Sequence, residues 1–179
     1  RCQVARGHHV PWLIQPLDRA HVLNGFKCGE DQLDTYLIKF ALNNDAARLG
    51  RTFVAVEPDS KVVCGYFTLA AGSIRFDTVP DHLKKRLPRY PIPTAHLARL
   101  AVDSRFQGKG LGEALLIGAL KKAAMAGEAM AVFAVDVIAL NDRAKDFYLK
   151  YGFVSLLDDP QHLYLHIKTA MQVAKTLLP

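Results

Sequence analysis

The segment LARLAVDSRFQGKGLG, residues 97–112, joins an apolar run to a glycine-rich run. Residues 97–102 are apolar apart from Arg99 and predict a buried central strand. Residues 107–112 predict a turn, and residues 113–126 predict a helix with Lys121 and Lys122 near its end and Gly127 after it. The segment therefore predicts a strand, a glycine loop and a helix in succession.

The glycine loop has the composition of a phosphate-binding turn. Gly108, Gly110 and Gly112 alternate along it, which lets the backbone turn tightly and point several N–H groups to one place. Such groups at a helix N-terminus bind phosphate oxygens. A plain glycine-rich turn with no ligand is the alternative.

Two common phosphate motifs do not fit this loop. A Walker A loop needs a glycine where Asp103 stands and Ser or Thr where Gly110 stands. A Rossmann fingerprint needs its last glycine at Glu113. The pattern that remains is QxxGxG between a strand and a helix.

Upstream of this segment the sequence predicts a helix, a hairpin and an irregular stretch. Apolar residues recur at helical spacing between residues 30 and 50, at Leu33, Tyr36, Leu37, Phe40 and Ala41. Residues 52–56 and 62–69 predict two antiparallel strands joined by a hairpin. Residues 75–93 contain four prolines and predict a short helix and a loop rather than a central strand.

Downstream, residues 131–139 form an apolar run broken by Asp136, which predicts another buried strand. Asn141 is then expected to cap a short helix that ends at Tyr151 and Gly152, before a last strand over residues 163–167. The order of elements predicts a mixed α/β fold.

Length and composition indicate one globular domain over residues 1–179, with residues 1–20 as a candidate extension. No apolar run approaches the roughly 20 residues of a membrane helix, so we expect a cytoplasmic protein without membrane contact. Cys2, Cys28 and Cys64 are too few and too widely spaced for a disulfide framework or a metal clip. The net charge of +6 favours polyanionic partners.

Two motifs in order resemble those of the GNAT acetyltransferase superfamily. The QxxGxG loop at residues 107–112 is similar to its pyrophosphate loop, and residues 141–153 resemble its NxxAxxFYxxxGF segment. Residues 26–37 and 65–70 further resemble the GNAT toxins of bacterial toxin–antitoxin modules. The similarity covers about residues 26–153.

This resemblance implies the GNAT fold, a mostly antiparallel mixed sheet flanked by helices, with central strands that splay apart. It also implies acetyl-CoA as co-substrate, direct attack of an amine on the thioester, and no metal. The positions that match the family's cofactor site are Leu100, Ala101, Val102, Gln107, Gly108, Lys109, Gly110, Leu111, Gly112 and Asn141.

Tyr148 matches the family's catalytic tyrosine, and a neutral phenol can protonate a departing thiolate. An aromatic core residue is the alternative for Tyr148, and a helix cap is the alternative for Asn141. Asp103 and Glu113 stand beside the loop, but either could serve a helix end, so deprotonation of the amine by water stays open. Arg105 and Lys109 flank the loop and could pair with phosphates or be solvated.

The toxin resemblance implies the α-amine of aminoacyl-tRNA as acceptor and a small DNA-binding antitoxin as partner, and homodimers are common in the family. A basic cluster agrees with a tRNA substrate, although a solvated basic face is the alternative. The cluster consists of Lys84, Lys85, Arg86 and Arg89. The competing functions are acetylation of a small amine or a protein N-terminus, and CoA binding without turnover.

Overall fold

A computed structural model describes residues 12–176 of the chain, which form a seven-stranded sheet with flanking helices. The strands are β1 (Leu13–Pro16), β2 (Arg51–Val56), β3 (Val63–Ile74), β4 (Ile92–Val102), β5 (Ala134–Ile138), β6 (Val154–Ser155) and β7 (His162–His166). The helices are α1 (Asp31–Thr35), α2 (Ala41–Ala46), α3 (Asp81–Lys84), α4 (Leu111–Ala129), α5 (Asp142–Lys150) and α6 (Ile167–Thr176). No helix within these residues is long and apolar enough to cross a bilayer.

The strands lie in the order β1-β2-β3-β4-β5-β7-β6. Every neighbouring pair is antiparallel except β4 and β5, which are parallel. β4 is the middle strand of the sheet, and α4 connects it to β5. The predicted strand, glycine loop and helix are therefore central to the fold. The predicted mixed, mostly antiparallel sheet flanked by helices is confirmed.

Alternating residues of the strands feed cores on opposite faces of the sheet. In β2, Phe53 belongs to the core beneath α4 and α6, and its neighbour Val54 belongs to the core beneath α1 and α2. In β3, Phe67 likewise belongs to the core beneath α4 and α6, and Tyr66 belongs to the core beneath α1 and α2. The sheet is therefore covered on both faces, and any opening between its strands leads from one face to the other.

Such an opening lies between β4 and β5. The two strands pair only at Thr94, Ala95 and His96, which face Ala134, Val135 and Asp136. Beyond His96 the strands separate, while β4 stays paired with β3 as far as Val102. A bulge opposite residues 68 and 69 of β3 leaves Ala98 without a β3 partner. The predicted splaying of the central strands is confirmed, and His96 with Asp136 marks its apex.

The helix expected over residues 30–50 is present but not uniform. Residues Tyr36–Phe40 form a π-helical turn between α1 and α2, which adds one residue to the turn and shifts the phase of the pattern. Leu37 and Ala41 are fully buried, whereas Phe40 is 50% exposed. The prediction that Phe40 shares the buried face is wrong for that reason.

The start of β4 and the end of α4 also differ from the sequence prediction. β4 begins at Ile92, so Pro93 is a strand residue, near the strand end and before the pairing with β5 starts. α4 runs from Leu111 to Ala129 and contains Gly127, where a built Cβ would lie 3.8 Å from Ile167 and Val132, at ordinary van der Waals distance. β1 and α6, which carry no sequence motif, complete one edge of the sheet and one of its helical layers.

Candidate active site

The separation of β4 and β5 opens a cavity of about 470 Å³, here called the β4–β5 cleft. Residues 97–102 of β4 form one wall, and residues 137–141 with the start of α5 form the other. Segment 28–33, which leads into α1, lies at its mouth. Seven of the predicted site residues line the cleft: Leu100, Ala101, Val102, Gln107, Gly112, Asn141 and Tyr148.

The glycine loop lies at the carboxyl end of β4 and opens α4. Gly108 and Gly110 have φ angles of 73° and 85°, in the left-handed region that side chains rarely adopt. No atom lies within 4 Å of a Cβ built on either residue, so backbone conformation rather than crowding requires glycine there. Gln107 and Gly112 line the cleft, so the loop and the first turn of α4 lie at its end.

The remaining loop residues have separate structural roles. Leu111 is buried in the main core and anchors the start of α4. Lys109 is exposed, with Nζ 5.3 Å from the centre of the Phe106 ring. Neither residue lines the cleft.

Gln107 joins three parts of the site through its side chain. Its Nε2 donates to the carbonyl oxygens of Cys28 at 2.8 Å and Val102 at 2.9 Å. The glutamine of the QxxGxG pattern therefore ties the loop to the end of β4 and to segment 28–33. This contact spans 79 residues of sequence, and the loop pattern gave no sign of it.

The acids next to the loop are engaged in structural contacts. Asp103 is buried, accepts from the backbone N–H groups of Lys27 and Arg105, and pairs with the Arg105 guanidinium at 2.8 Å. Burial alone would raise the pKa of Asp103, but these hydrogen bonds hold it below its usual value. Glu113 accepts from the Tyr151 hydroxyl at 3.0 Å. Neither carboxylate faces the cleft as a free base.

Tyr148 lies on α5 with its side chain turned inward. It is 6% exposed, packs against Phe147 and Phe153 at ring-centre distances of 5.2 and 5.4 Å, and lines the cleft. Within residues 12–176 its hydroxyl has no hydrogen-bond partner. Burial raises the pKa of the phenol above its ordinary value, which keeps its proton in place at neutral pH. Tyr148 is thus both a core aromatic residue and a cleft residue.

Asn141 caps α5, since its Oδ1 accepts from the N–H of Ala144 at 2.9 Å. Its Nδ2 lies 3.4 Å from Oε1 of Glu30 on the opposite side of the cleft mouth. The capping role expected from the sequence is confirmed, and Asn141 also lines the cleft.

Arg99 and Cys28 are two further residues of the cleft. The Arg99 guanidinium carbon lies 3.6 Å from the centre of the Tyr36 ring, a cation–π contact between β4 and the π-helical turn. Cys28 also lines the cleft, where burial and the neighbouring Asp34 raise the pKa of its thiol to about 12. A thiol that keeps its proton is a poor nucleophile, so Cys28 does not offer a route through a covalent enzyme intermediate.

The basic cluster lies outside the cleft, on α3 and the loop after it. Lys84 pairs with Asp81 at 2.8 Å, whereas Lys85, Arg86 and Arg89 are exposed. The basic cluster therefore lies on the protein surface and does not line the cleft.

Comparison with known proteins agrees with this geometry. Residues 23–153 match the acetyltransferase (GNAT) family. The chain is a member of the GNAT acetyltransferase family. As a GNAT member it has the acetyltransferase fold over the whole segment that forms the cleft, from the loop before α1 to the end of α5.

Three similar proteins carry more detailed descriptions. A tRNA-acetylating toxin of Mycobacterium tuberculosis is 37% identical over 164 residues, which cover 92% of this chain and 95% of the relative. The structure of AtaT complexed with acetyl-methionyl-tRNAfMet superposes with a TM-score of 0.85 and 27% identity, covering 91% of this chain and 99% of that one. A tyrosine-to-phenylalanine mutant of the AtaT toxin, bound to the C-terminus of the antitoxin AtaR and acetyl-CoA, gives a TM-score of 0.77 and 25% identity, covering 91% and 97%.

Proposed function

We propose that this GNAT protein is a toxin that transfers an acetyl group from acetyl-CoA to the α-amine of aminoacyl-tRNA and so blocks translation. The observation that carries the proposal is the β4–β5 cleft, which has the glycine loop at one end and the buried Tyr148 in its wall. The relatives described above support the choice of acceptor.

The residues of the cleft fit acetyl-CoA. Beyond His96 the edge of β4 that faces β5 lacks a strand partner among residues 12–176, so its peptide groups can pair with the amides of the pantetheine arm. Leu100, Ala101 and Val102 would provide this edge. The loop from Gln107 to Gly112 would hold the pyrophosphate, through the N–H groups at the start of α4.

Acetyl-CoA supplies the thioester whose acetyl group is transferred. Tyr148 is the residue that we assign to the proton transfer to the leaving sulfur, because its hydroxyl keeps its proton and lines the cleft. Proton donation of this kind accelerates reactions by about 10² to 10⁴. The walls of the cleft position the two substrates against each other.

A tRNA acceptor agrees with the charge of the protein. The exposed cations of the basic cluster, Lys85, Arg86 and Arg89 with Lys84, would contact the tRNA phosphates while the aminoacyl end reaches the cleft. The net charge of +6 would steer the polyanion towards the protein.

The other partners follow from the same assignment. A relative is described with its antitoxin's C-terminus bound, and we propose that a small DNA-binding antitoxin likewise binds this chain. We also propose that the chain can form a homodimer, as other members of the family do. Its substrate, charged tRNA, would place the protein in the cytoplasm.

The test is transfer of labelled acetyl from acetyl-CoA to a bulk pool of charged tRNA. We expect label on charged tRNA and none on tRNA stripped of its amino acids. Tyr148→Phe should lower the transfer rate by about 100-fold, while Tyr151→Phe, a matched change at the C-terminal end of α5, should not. Label transferred to polyamines or peptides with charged tRNA ignored would replace the tRNA assignment with a small-amine or N-terminal acetyltransferase.

A further inference from the structure

Three polar side chains from different strands meet at the apex of the β4–β5 cleft. Oδ2 of Asp136 on β5 lies 2.8 Å from Nδ1 of His96 on β4 and 2.8 Å from Nε2 of His162 on β7. Asp136 is 2% exposed, whereas the two imidazoles keep about a quarter of their side-chain surface open. Within residues 12–176 no group of side chains, this one included, is arranged to hold a metal ion.

The contacts define which nitrogen of His96 carries its proton. Burial would raise the pKa of Asp136, but the hydrogen bonds from His96 and His162 hold it below its ordinary value, so the carboxylate is ionised and can only accept. His96 must therefore donate from Nδ1, which leaves a lone pair on Nε2. No described residue hydrogen-bonds to that Nε2.

The fold makes room for His96 in this position. A Cβ built on Gly72 of β3 would lie 2.9 Å from Cβ of His96, closer than real Cβ contacts come. His96 pairs with Ala70 in the same ladder, so β3 presents no titratable group to the imidazole. Among residues 12–176, the ionisable groups recorded in contact around His96 are Asp136 from β5 and, through it, His162 from β7.

His96 does not itself line the β4–β5 cleft, but the next residue of β4, Leu97, does. The glycine loop follows the carboxyl end of β4, and Leu97 lies five residues before Val102, about 17 Å away at roughly 3.3 Å per residue. A cofactor with its phosphates at the loop and its arm along β4 would bring its acyl end to Leu97 and the apex. His96 is the next residue.

His96 and Tyr148 lie on opposite sides of the sheet at this point. Leu97 belongs to the same core as Tyr148, beneath α4, and successive strand residues point to opposite faces, so His96 points to the other face. Attack on a thioester brings the amine in on one side of the carbonyl carbon while the sulfur leaves on another. Tyr148, the proposed proton donor, and the imidazole of His96 therefore lie on opposite faces of the sheet.

We propose that His96 accepts the proton that the acceptor amine loses, with Asp136 and His162 holding its ring in place. This rests on the proposed acetyl transfer and adds a base to it. A nitrogen–carbon bond forms as the carbon–sulfur bond breaks; one amine proton passes to Nε2 of His96, and the Tyr148 proton passes to the sulfur. Exchange with solvent then restores both side chains.

The test compares wild type, His96→Gln and His166→Gln in the acetyl-transfer assay across pH. His166 is the matched control, since it lies on β7 four residues from His162 and packs on Phe133 instead. We expect His96→Gln to lower kcat by about 100-fold, to leave KM for acetyl-CoA unchanged, and to lose the fall in kcat at acidic pH that wild type and His166→Gln share. Added imidazole should partly restore His96→Ala.

Gly72→Ala provides a second variant, because its Cβ would lie 2.9 Å from both Cβ of His96 and Oγ1 of Thr94 and so displace His96 without removing the imidazole. It should lower kcat with unchanged affinity for acetyl-CoA, measured by calorimetry on the folded variant. A wild-type chain that is active while His96→Gln matches its kcat at every pH would overturn the inference alone and assign the deprotonation to water. A wild-type chain that acetylates none of charged tRNA, polyamines and peptides would overturn the proposed function and this inference together.

Discussion

The hydroxyl of Tyr151 donates a 3.0 Å hydrogen bond to Oε2 of Glu113, which ties the end of α5 to the first turn of α4. Tyr151 and Tyr148 lie on one short segment, and the Phe147 ring contacts both. One hydroxyl is thus bound to a structural partner, and the other faces the cleft.

Because of this difference, Tyr151→Phe should affect the stability of the protein, whereas Tyr148→Phe should affect catalysis. Tyr151→Phe should lower the free energy of unfolding by about 1 kcal/mol, because it removes one partly buried hydrogen bond, and should leave kcat unchanged. Denaturant unfolding and the acetyl-transfer assay measure the two effects. Glu113→Ala combined with Tyr151→Phe should cost less than the sum of the single changes, since both remove the same contact. Additive losses would contradict the assigned bond.

The glycine loop allows a second comparison, between Gly110 in the loop and Gly25 elsewhere in the chain, which have the same φ angle. Gly110→Ala should lower stability by about 1 kcal/mol, because alanine disfavours a φ of 85°, and should also weaken acetyl-CoA binding. Gly25 has the same φ of 85° and equally open surroundings, and it lies outside the glycine loop. Gly25→Ala should therefore cost the same stability and leave acetyl-CoA binding unchanged.

Calorimetric titration with acetyl-CoA and thermal unfolding distinguish the two glycine variants. If Gly110→Ala bound acetyl-CoA as tightly as Gly25→Ala, the loop would be an ordinary turn and the phosphates would lie elsewhere. The comparison removes backbone strain as an explanation, because both variants contain it.

Local patterns predicted the strand, glycine loop and helix because each of these depends on residues close together in sequence. The π-helical turn at residues 36–40 was not predicted. Leu33, Leu37 and Ala41 keep the spacing of a regular helix in the sequence, so their pattern does not reveal the extra residue that turns Phe40 outward. Pro93 was excluded from β4 because proline has no backbone N–H to donate. The missing N–H matters little there, because Pro93 lies before the residues at which β4 pairs with β5.

Contacts across the sheet were beyond the reach of sequence patterns. His96 and Asp136 are 40 residues apart, and Asp136 and His162 are 26 apart. In the sequence, Asp136 was visible only as a break in an apolar strand. Their meeting depends on the register of three strands, which no local periodicity encodes.

The basic cluster predicts a salt-dependent interaction with tRNA. Changing Lys85, Arg86 and Arg89 together to Gln should raise KM for charged tRNA and flatten the slope of log affinity against log salt by about two to three. The control changes Lys61, Lys168 and Lys175, three exposed cations on other elements, to Gln with the same loss of charge. Filter binding at several salt concentrations measures both slopes.

Acetylation of a small amine should be insensitive to the basic-cluster variant, because the cluster lies outside the cleft. Equal slopes for the two triple variants would show that net charge, rather than this surface, attracts tRNA. The basic cluster would then be a solvated face.

The buried carboxylate of Asp136 predicts a dependence of stability on pH. Its pKa is lowered in the folded protein because the imidazole hydrogen bonds outweigh burial, so the unfolded chain, with an Asp pKa of about 3.9, binds the proton more readily. The stabilisation from the charged form is complete above about pH 5. It is lost as pH falls through 3.9 towards the folded pKa.

Asp136→Asn removes this pH-dependent contribution. The variant should be less stable than wild type by about 2 kcal/mol at pH 6, and the difference should shrink as pH falls towards about 3. Urea unfolding at a series of pH values measures it. Asp146→Asn, an exposed change on α5, should follow wild type throughout. A difference for Asp136→Asn that stays constant from pH 6 to pH 3 would mean that Asp136 stabilises the fold through packing, with its charge playing no part.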